Sequence, residues 1–349
     1  MHFVPESLTP RESAVLDLLR SGMTNKQIAR SIGISEQTVK YHLKNIYGKL
    51  GALGRAHAVA ISDQARTSSR SATPGDAAAE PAIPEVALSP LSLLRRTRRL
   101  HADRTAIEHG QRSLSYRAFF ERCDRAAALL SGLGVTRGDR VVVLSPNSIA
   151  HLEQYHALPH LGAIVVPLNL HFGPEDIAGV VTHCEARVVC AAGIYADAVD
   201  AVRDRLHSVT HCVLLDGTRE GWIDYEAALS VAAAAPAAAP VQEEDPISIN
   251  YTSGTGAHPK GVVLSHRNAW INTVGVLLHW PMQCSDRYLW NLPMFHVNGW
   301  GFVWTVTAVG ATHVVTGSIE AEDLAEQVRC ERITTLCAGR ATLAGLRAL

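Results

Sequence analysis

The sequence predicts a multidomain chain: a small all-α module of four helices, followed by an α/β region with a mostly parallel sheet. Three observations predict it. The first fifty residues hold three helix starts in close succession, each with its own capping residue. From about residue 89 onward, short β-branched runs alternate with helical stretches, the pattern of βαβ units. Between them, residues 67–88 are small and proline-rich without periodicity. Such a composition buries too little surface to offset ordering and reads as a flexible linker. The expected boundaries are 1–66, 67–88 and 89–349.

A chain of 349 residues suits two or three domains. Its 47% apolar and 19% charged residues are ordinary for soluble globular protein. No apolar run is long enough to span a bilayer, and no basic start leads into an apolar stretch. The seven cysteines are scattered, with no C-x-x-C pair and no histidines at zinc spacing, so no metal site is expected. Reduced thiols in a cytoplasmic protein follow from that usage. The net charge of −1 hides an asymmetry: residues 1–66 carry nine Lys and Arg against five Asp and Glu. A basic module on a neutral-to-acidic body places phosphate contact in the first part.

Each helix of that module has its own signals. Thr9 and Glu12 form a capping box around Pro10 at the first helical position, and Val15, Leu18 and Leu19 supply the apolar stripe up to Gly22. Thr24 and Gln27 repeat the box, with Met23 and Ile28 as a hydrophobic staple, and Gly33 ends this second helix. Ser35 caps the third. Two short helices joined by a tight glycine turn make a helix-turn-helix. In the third helix Val39, Leu43, Ile46 and Leu50 share one face, while Gln37, Lys40, Tyr41 and Lys44 lie roughly 140° away at helical spacing. A buried stripe behind a polar, basic and aromatic face is what a major-groove reader requires, since lysine bonds guanine acceptors or phosphate and glutamine pairs with adenine.

The residues Leu8–Glu12, Thr24–Ala29 and Ser35–Leu43, continuing through Asn45–Ala52 and Arg55, resemble the LuxR-type helix-turn-helix family. That resemblance implies a double-stranded DNA operator as partner and a fourth helix, here about residues 55–62, that mediates homodimerisation. It makes Lys40, Tyr41 and Lys44 base or phosphate contacts, with Thr38 and Lys49 near the DNA backbone. In this family the reader usually follows an input domain. Here only a few residues precede it, so an input domain, if the chain has one, is expected after the reader.

In the α/β region the expected strands are 140–144, 163–168, 187–191, 212–215, 247–251, 312–316 and 333–337. The expected helices are 150–161, 174–184, 196–206, 268–279 and 321–331. The most suggestive segment is Tyr251-Thr-Ser-Gly-Thr-Gly-Ala-His-Pro-Lys-Gly261. Glycines allow close backbone approach to an anion, hydroxyls donate to phosphate oxygens and lysine adds a point charge. The spacing is not that of a Walker loop, and a strand, not a helix, follows. From these residues alone, a different phosphate loop and a plain turn both stand.

The loop resembles the signature of adenylate-forming enzymes, the AMP-binding or acyl-CoA synthetase superfamily, and Leu292–Gly301 looks like that family's second core motif. Collinear similarities run from residue 114 to Pro246, and the resemblance extends from about residue 89 to Leu349. It implies that Thr252, Ser253, Gly254, Thr255 and Lys260 hold ATP phosphates, that His296, Val297, Asn298, Gly299 and Trp300 line an acyl pocket, and that ATP or AMP with Mg²⁺ serve as cofactors of a functional site. Two departures bear on activity. Gly256 stands where the family has threonine and Ala257 where it has glycine. The family's later adenine, ribose and C-terminal motifs do not follow, so an incomplete adenylate-forming N-terminal domain is expected. Half of a constellation whose catalysis is positioning plus electrostatics gives little activity alone. The sequence thus presents a LuxR-type regulator with a truncated nucleotide- or acyl-binding region, against an ATP-dependent acyl ligase or an inactive fragment of one.

Overall fold

The structure, a computed structural model, describes residues 9–21, 23–50, 52, 54–55, 58–59, 87–232, 236–252, 259–316 and 321–339. It divides into two compact units, Met1–Pro84 and Glu85–Leu349.

The first unit contains α1 (Pro10–Arg20), α2 (Asn25–Ile32) and α3 (Glu36–Leu50). Both expected capping boxes are formed, Thr9 with Glu12 and Thr24 with Gln27. Gly33 closes α2 in the left-handed region at φ 67°, a conformation glycine adopts without strain. The helix α1 ends at Arg20, two residues before Gly22, and its C-cap is Ser21, whose N–H reaches the Asp17 and Leu19 carbonyls. Val15, Leu16, Leu19, Ile28, Ala29, Val39, Leu43, Ile46 and Ala58 form one core. Of the expected fourth helix, only Arg55, Ala58 and Val59 are described.

Glu12 ties this unit together. Its carboxylate is buried, accepts from the Thr9 N–H and hydroxyl, and receives Lys49 Nζ at 2.9 Å from the far end of α3. The Lys49 hydrogen bond, followed by the Thr9 backbone donor, holds the Glu12 carboxyl down at about 2.

The second unit carries two sheets. The larger contains β3 (Arg140–Leu144), β4 (Ile164–Pro167), β5 (Val188–Ala191), β6 (His211–Leu214), β7 (Ile223–Asp224), β8 (Pro246–Thr252) and β9 (Lys260–Ser265), in the order β7-β6-β5-β3-β4-β8-β9. All its pairs are parallel except β8–β9. The smaller joins β1 (Thr105–His109) and β2 (Arg112–Ser115) to β10 (Arg287–Trp290), β11 (Thr312–Val315) and β12 (Thr335–Leu336), in the order β12-β10-β11-β1-β2. Only β1–β2 is antiparallel there.

Strand alternation distributes the valines between two cores. Val141 and Val143 enter the larger core, where α5 (Tyr116–Gly132), α6 (Ile149–His160) and α11 (Phe302–Val309) lie between the sheets; α4 (Pro90–Leu100) adds Leu91 and Leu94. Val142 and Leu144 face the opposite core with α7 (Pro174–His183) and α8 (Ala196–Asp200). The central strands β3, β4 and β5 are therefore buried on both faces, which is why they read as continuous apolar runs. Two further helices, α9 (Tyr225–Val231) and α10 (His266–His279), flank the larger core, and α12 (Ala321–Cys330) covers the outer face of the smaller sheet through Leu324, Leu289 and Val314.

The expected helix 196–206 is corrected to α8 plus a separate 3₁₀ turn at Arg203–Arg205. The Asp200 carboxylate gathers Arg203, Arg219 and the Trp222 indole, closing the helix there. The expected strand 333–337 shortens to Thr335–Leu336. No helix among the described residues is long and apolar enough to cross a membrane.

Because the Glu12 carboxyl titrates lower folded than unfolded, its stabilisation is fully present above about pH 4.5 and is lost as pH falls toward 2. Glu12→Gln should lower the urea midpoint of the first unit at pH 7, followed by the Ile28 and Ile46 methyl resonances, and the gap to wild type should narrow by pH 3. An equal gap at both pH values would contradict this role.

Candidate functional site

On α3 the buried stripe and the polar face separate as the spacing requires. Val39, Leu43 and Ile46 are buried, whereas Gln37, Lys40, Tyr41 and Lys44 are exposed. Tyr41 stands 63% exposed, an unusual placement for a large ring and one suited to a contact surface. Among the described residues Lys40 has only a 3.8 Å pair with Glu36 on the same helix, too solvated to hold it. Thr38 and Lys49 are engaged internally: the Thr38 hydroxyl lies 2.7 Å from the Ser35 hydroxyl, and Lys49 is bound to Glu12. Arg55 reaches back to the Met23 carbonyl and Asn25, holding the start of α2.

In the second unit Thr252 ends β8 and pairs directly with Lys260, the first residue of β9. The phosphate-loop candidate therefore joins two antiparallel strands at a sheet edge. Ser253, Gly254 and Thr255 lie outside the described residues. Lys260 is exposed and has no hydrogen-bond or ion-pair partner among the described residues.

The 296–300 segment has an unexpected backbone. Val297, Asn298, Gly299, Trp300 and Gly301 are successive residues with φ of 50°, 55°, 54°, 57° and 79°, a left-handed turn. L-residues disfavour it by about 1–2 kcal/mol each, and a β-branched valine there is an outlier. The turn points His296, Val297 and Trp300 outward and buries Asn298 and Gly299. A side chain on Gly299 would run into the Trp290 ring.

Buried hydrogen bonds connect this turn to the phosphate-loop strand. Asn298 Nδ2 donates to Ser248 Oγ at 2.8 Å, and Asn250 Nδ2 donates to Asn298 Oδ1 at 3.3 Å. Asn298 is thus bound to residues four and two positions before Thr252. On the other side, Asn272 Nδ2 donates to the Trp300 carbonyl at 3.2 Å.

Sequence reasoning missed one anchor. Asn147, just after β3, donates to the Trp290 and Leu292 carbonyls at 3.1 and 2.8 Å and accepts from the Met294 N–H at 2.7 Å. Tyr155 adds a bond to the Met294 carbonyl at 2.8 Å. The only local signal was a polar Ser145-Pro146-Asn147 step at a strand's carboxyl end. That step lines a cavity of about 520 Å³ with Trp290, Asn291 and Asp216, at the carboxyl ends of strands from both sheets. Such crevices are where open α/β sheets bind ligands. None of the expected site residues that are described lines it. No group of three or more metal-ligating side chains is assembled among the described residues.

Asn298→Ala leaves Ser248 and Asn250 in the interior with only their mutual 3.3 Å bond and should destabilise the second unit by about 1–3 kcal/mol. Every tryptophan lies in that unit, so urea unfolding followed by tryptophan fluorescence reads it. A change below a few tenths of a kcal/mol would show that the tie carries no load.

The family described as AMP-binding enzyme matches residues 94–346, and that of bacterial regulatory proteins, luxR family, matches residues 6–62. A butyrate–CoA ligase of Arabidopsis thaliana, AAE11, is 32% identical over 265 residues, covering 71% of this chain and 46% of that protein. A 4-hydroxybutyrate–CoA ligase of Metallosphaera sedula is 30% identical, covering 72% of this chain and 47% of its own length. The chain thus spans about half the length of the curated relatives it matches. Among solved structures, the inhibitor-bound N-terminal domain of FACL13 from Mycobacterium tuberculosis superposes with a TM-score of 0.69 at 27% identity, covering 75% of this chain and 65% of that one. The chain belongs to the AMP-binding enzyme family and carries, ahead of that region, a DNA-binding module of the luxR family of bacterial regulatory proteins.

Proposed function

We propose that this chain is a DNA-binding transcriptional regulator of the luxR type whose second unit binds a nucleotide or acyl ligand. The observation that carries the reading is α3, with Gln37, Lys40, Tyr41 and Lys44 exposed opposite a buried Val39, Leu43 and Ile46. In this reading Lys40 and Lys44 meet phosphate or guanine, and Gln37 and Tyr41 meet base edges. Thr38 and Lys49 act indirectly, by fixing the two ends of the reader helix. The protein works in the cytoplasm, and two copies join through the fourth helix to read a two-fold operator.

A second reading has its own support. The pairing of Thr252 with uncommitted Lys260, tied through Ser248 and Asn298 to the 296–300 turn, suits ATP-dependent activation of a carboxylic acid. Thr252, Ser253, Gly254, Thr255 and Lys260 would hold the phosphates, and His296, Val297, Asn298, Gly299 and Trp300 would line the acyl path. ATP with Mg²⁺ would supply the electrophilic phosphorus. The chain's own contribution would be the positive charge of Lys260 at the start of β9 and an outward-facing His296 on the turn that Asn298 ties to β8.

Lys40→Ala with Lys44→Ala should weaken binding to a selected operator duplex and lower the slope of log affinity against log salt by roughly 2. An unchanged gel-shift titration would remove these residues from the interface. For the second reading, hydroxamate trapping with butyrate or benzoate, ATP and Mg²⁺ should yield product that Lys260→Ala abolishes. Product no greater than in that variant would reject acyl activation by this chain.

A further inference from the structure

A second pocket lies away from both readings, between α4, α5 and α6. It has a volume of about 300 Å³ and is lined by Leu91, Leu94, Phe120 and Cys123, with Ala238 at one side. None of its lining residues belongs to β8, β9 or the left-handed turn. The size is at the small end of the range for ligand pockets.

Two of its polar groups have no protein partner among the described residues. His156 is 4% exposed, and neither ring nitrogen has a hydrogen-bond partner. It meets the Phe119 and Phe120 rings edge-on at 5.1 and 6.2 Å. Burial holds its pKa down at about 3, so the ring is neutral, with one donor and one acceptor to satisfy. At the rim, Arg98 is committed, with both guanidinium ends on Asp124 at 2.8 and 2.6 Å and its face 4.8 Å above Phe120. His160 is bonded to the Pro236 carbonyl at 2.9 Å. Arg95 is exposed and makes no ion pair among the described residues. With Arg98 and Asp124 cancelling, the rim keeps the positive charge of Arg95.

An uncommitted cation at the mouth, an apolar wall and an unsatisfied neutral imidazole inside define a complementary ligand. We propose that this pocket is a binding site for a compact amphiphilic carboxylate: its carboxylate on Arg95, its apolar body against Leu91, Leu94 and Phe120, and a hydroxyl or carbonyl on His156. The site depends on neither DNA binding nor acyl activation, so it stands whichever reading of the protein holds.

The test uses the full chain and calorimetric titration with three probes: 4-hydroxyphenylacetate, phenylacetate, which lacks the hydroxyl, and 4-methylphenol, which lacks the carboxylate. The first should bind one per chain and more tightly than either of the others. Arg95→Leu, a surface change, should weaken 4-hydroxyphenylacetate about tenfold, the scale of a charge-assisted bond, and leave 4-methylphenol little affected. His156→Phe should bring 4-hydroxyphenylacetate to the affinity of phenylacetate without weakening phenylacetate, and Leu94→Trp should abolish all three. The proposal is overturned if 4-hydroxyphenylacetate does not bind at millimolar concentration or binds Arg95→Leu undiminished. It is equally overturned if binding disappears in His296→Ala, which would place the ligand in the other site.

Discussion

Five consecutive residues with positive φ cannot persist by local preference, and the candidate site of the second unit depends on what holds them. The three non-glycine members of the left-handed turn cost roughly 3–6 kcal/mol at the usual penalty per residue. Against this stand the buried bonds of Asn298 to Ser248 and Asn250 and the Asn272 bond to the Trp300 carbonyl. Each net hydrogen bond contributes about 1 kcal/mol, and burial of Gly299 against Trp290 adds packing. Strain of this kind survives only where surrounding contacts over-determine it. Here the contacts come from β8, α10 and the Asn147 anchor, so the segment bearing His296 and the strand bearing Thr252 are fixed as one object.

The two units solve different physical problems. Among its described residues the first has a core of nine buried apolar side chains and adds a long-range carboxylate–ammonium bond between Glu12 and Lys49 to brace it. Its outward face is left polar, basic and aromatic. The second buries both faces of the central parallel strands and can house polar groups deep inside, including Glu153 held by Arg122 and Tyr225. That capacity allows it to carry both the β8–β9 site and a separate pocket with an unsatisfied imidazole.

Much of this was legible in the sequence where a signal is local. Caps at Thr9, Thr24 and Ser35 announce α1–α3, and valine runs announce β3, β4 and β5 because a strand buried on both faces has no polar position. What was missed depends on distant partners. α11, Phe-Val-Trp-Thr-Val-Thr-Ala-Val, is buried on all sides and rich in β-branched residues, so periodicity cannot mark it as a helix. β10, Arg-Tyr-Leu-Trp, is short and lacks a β-branched residue. Nothing in His-Val-Asn-Gly-Trp signals a left-handed turn at a valine. Lys49 fits a DNA-facing role by family position, yet its ammonium lies on a carboxylate 37 residues earlier, a contact that helical spacing cannot reveal.

In the proposed function DNA and nucleotide meet separate lysines: Lys40 and Lys44 on the reader helix, and Lys260 beside Thr252. Lysine acetylation footprinting of the full chain reads these sites and Lys49 in one experiment. The account expects operator DNA to protect Lys40 and Lys44 without changing Lys260, ATP with Mg²⁺ to protect Lys260 alone, and Lys49 to react slowly throughout. Protection of Lys260 by DNA, with Lys40 and Lys44 unaffected, would contradict it.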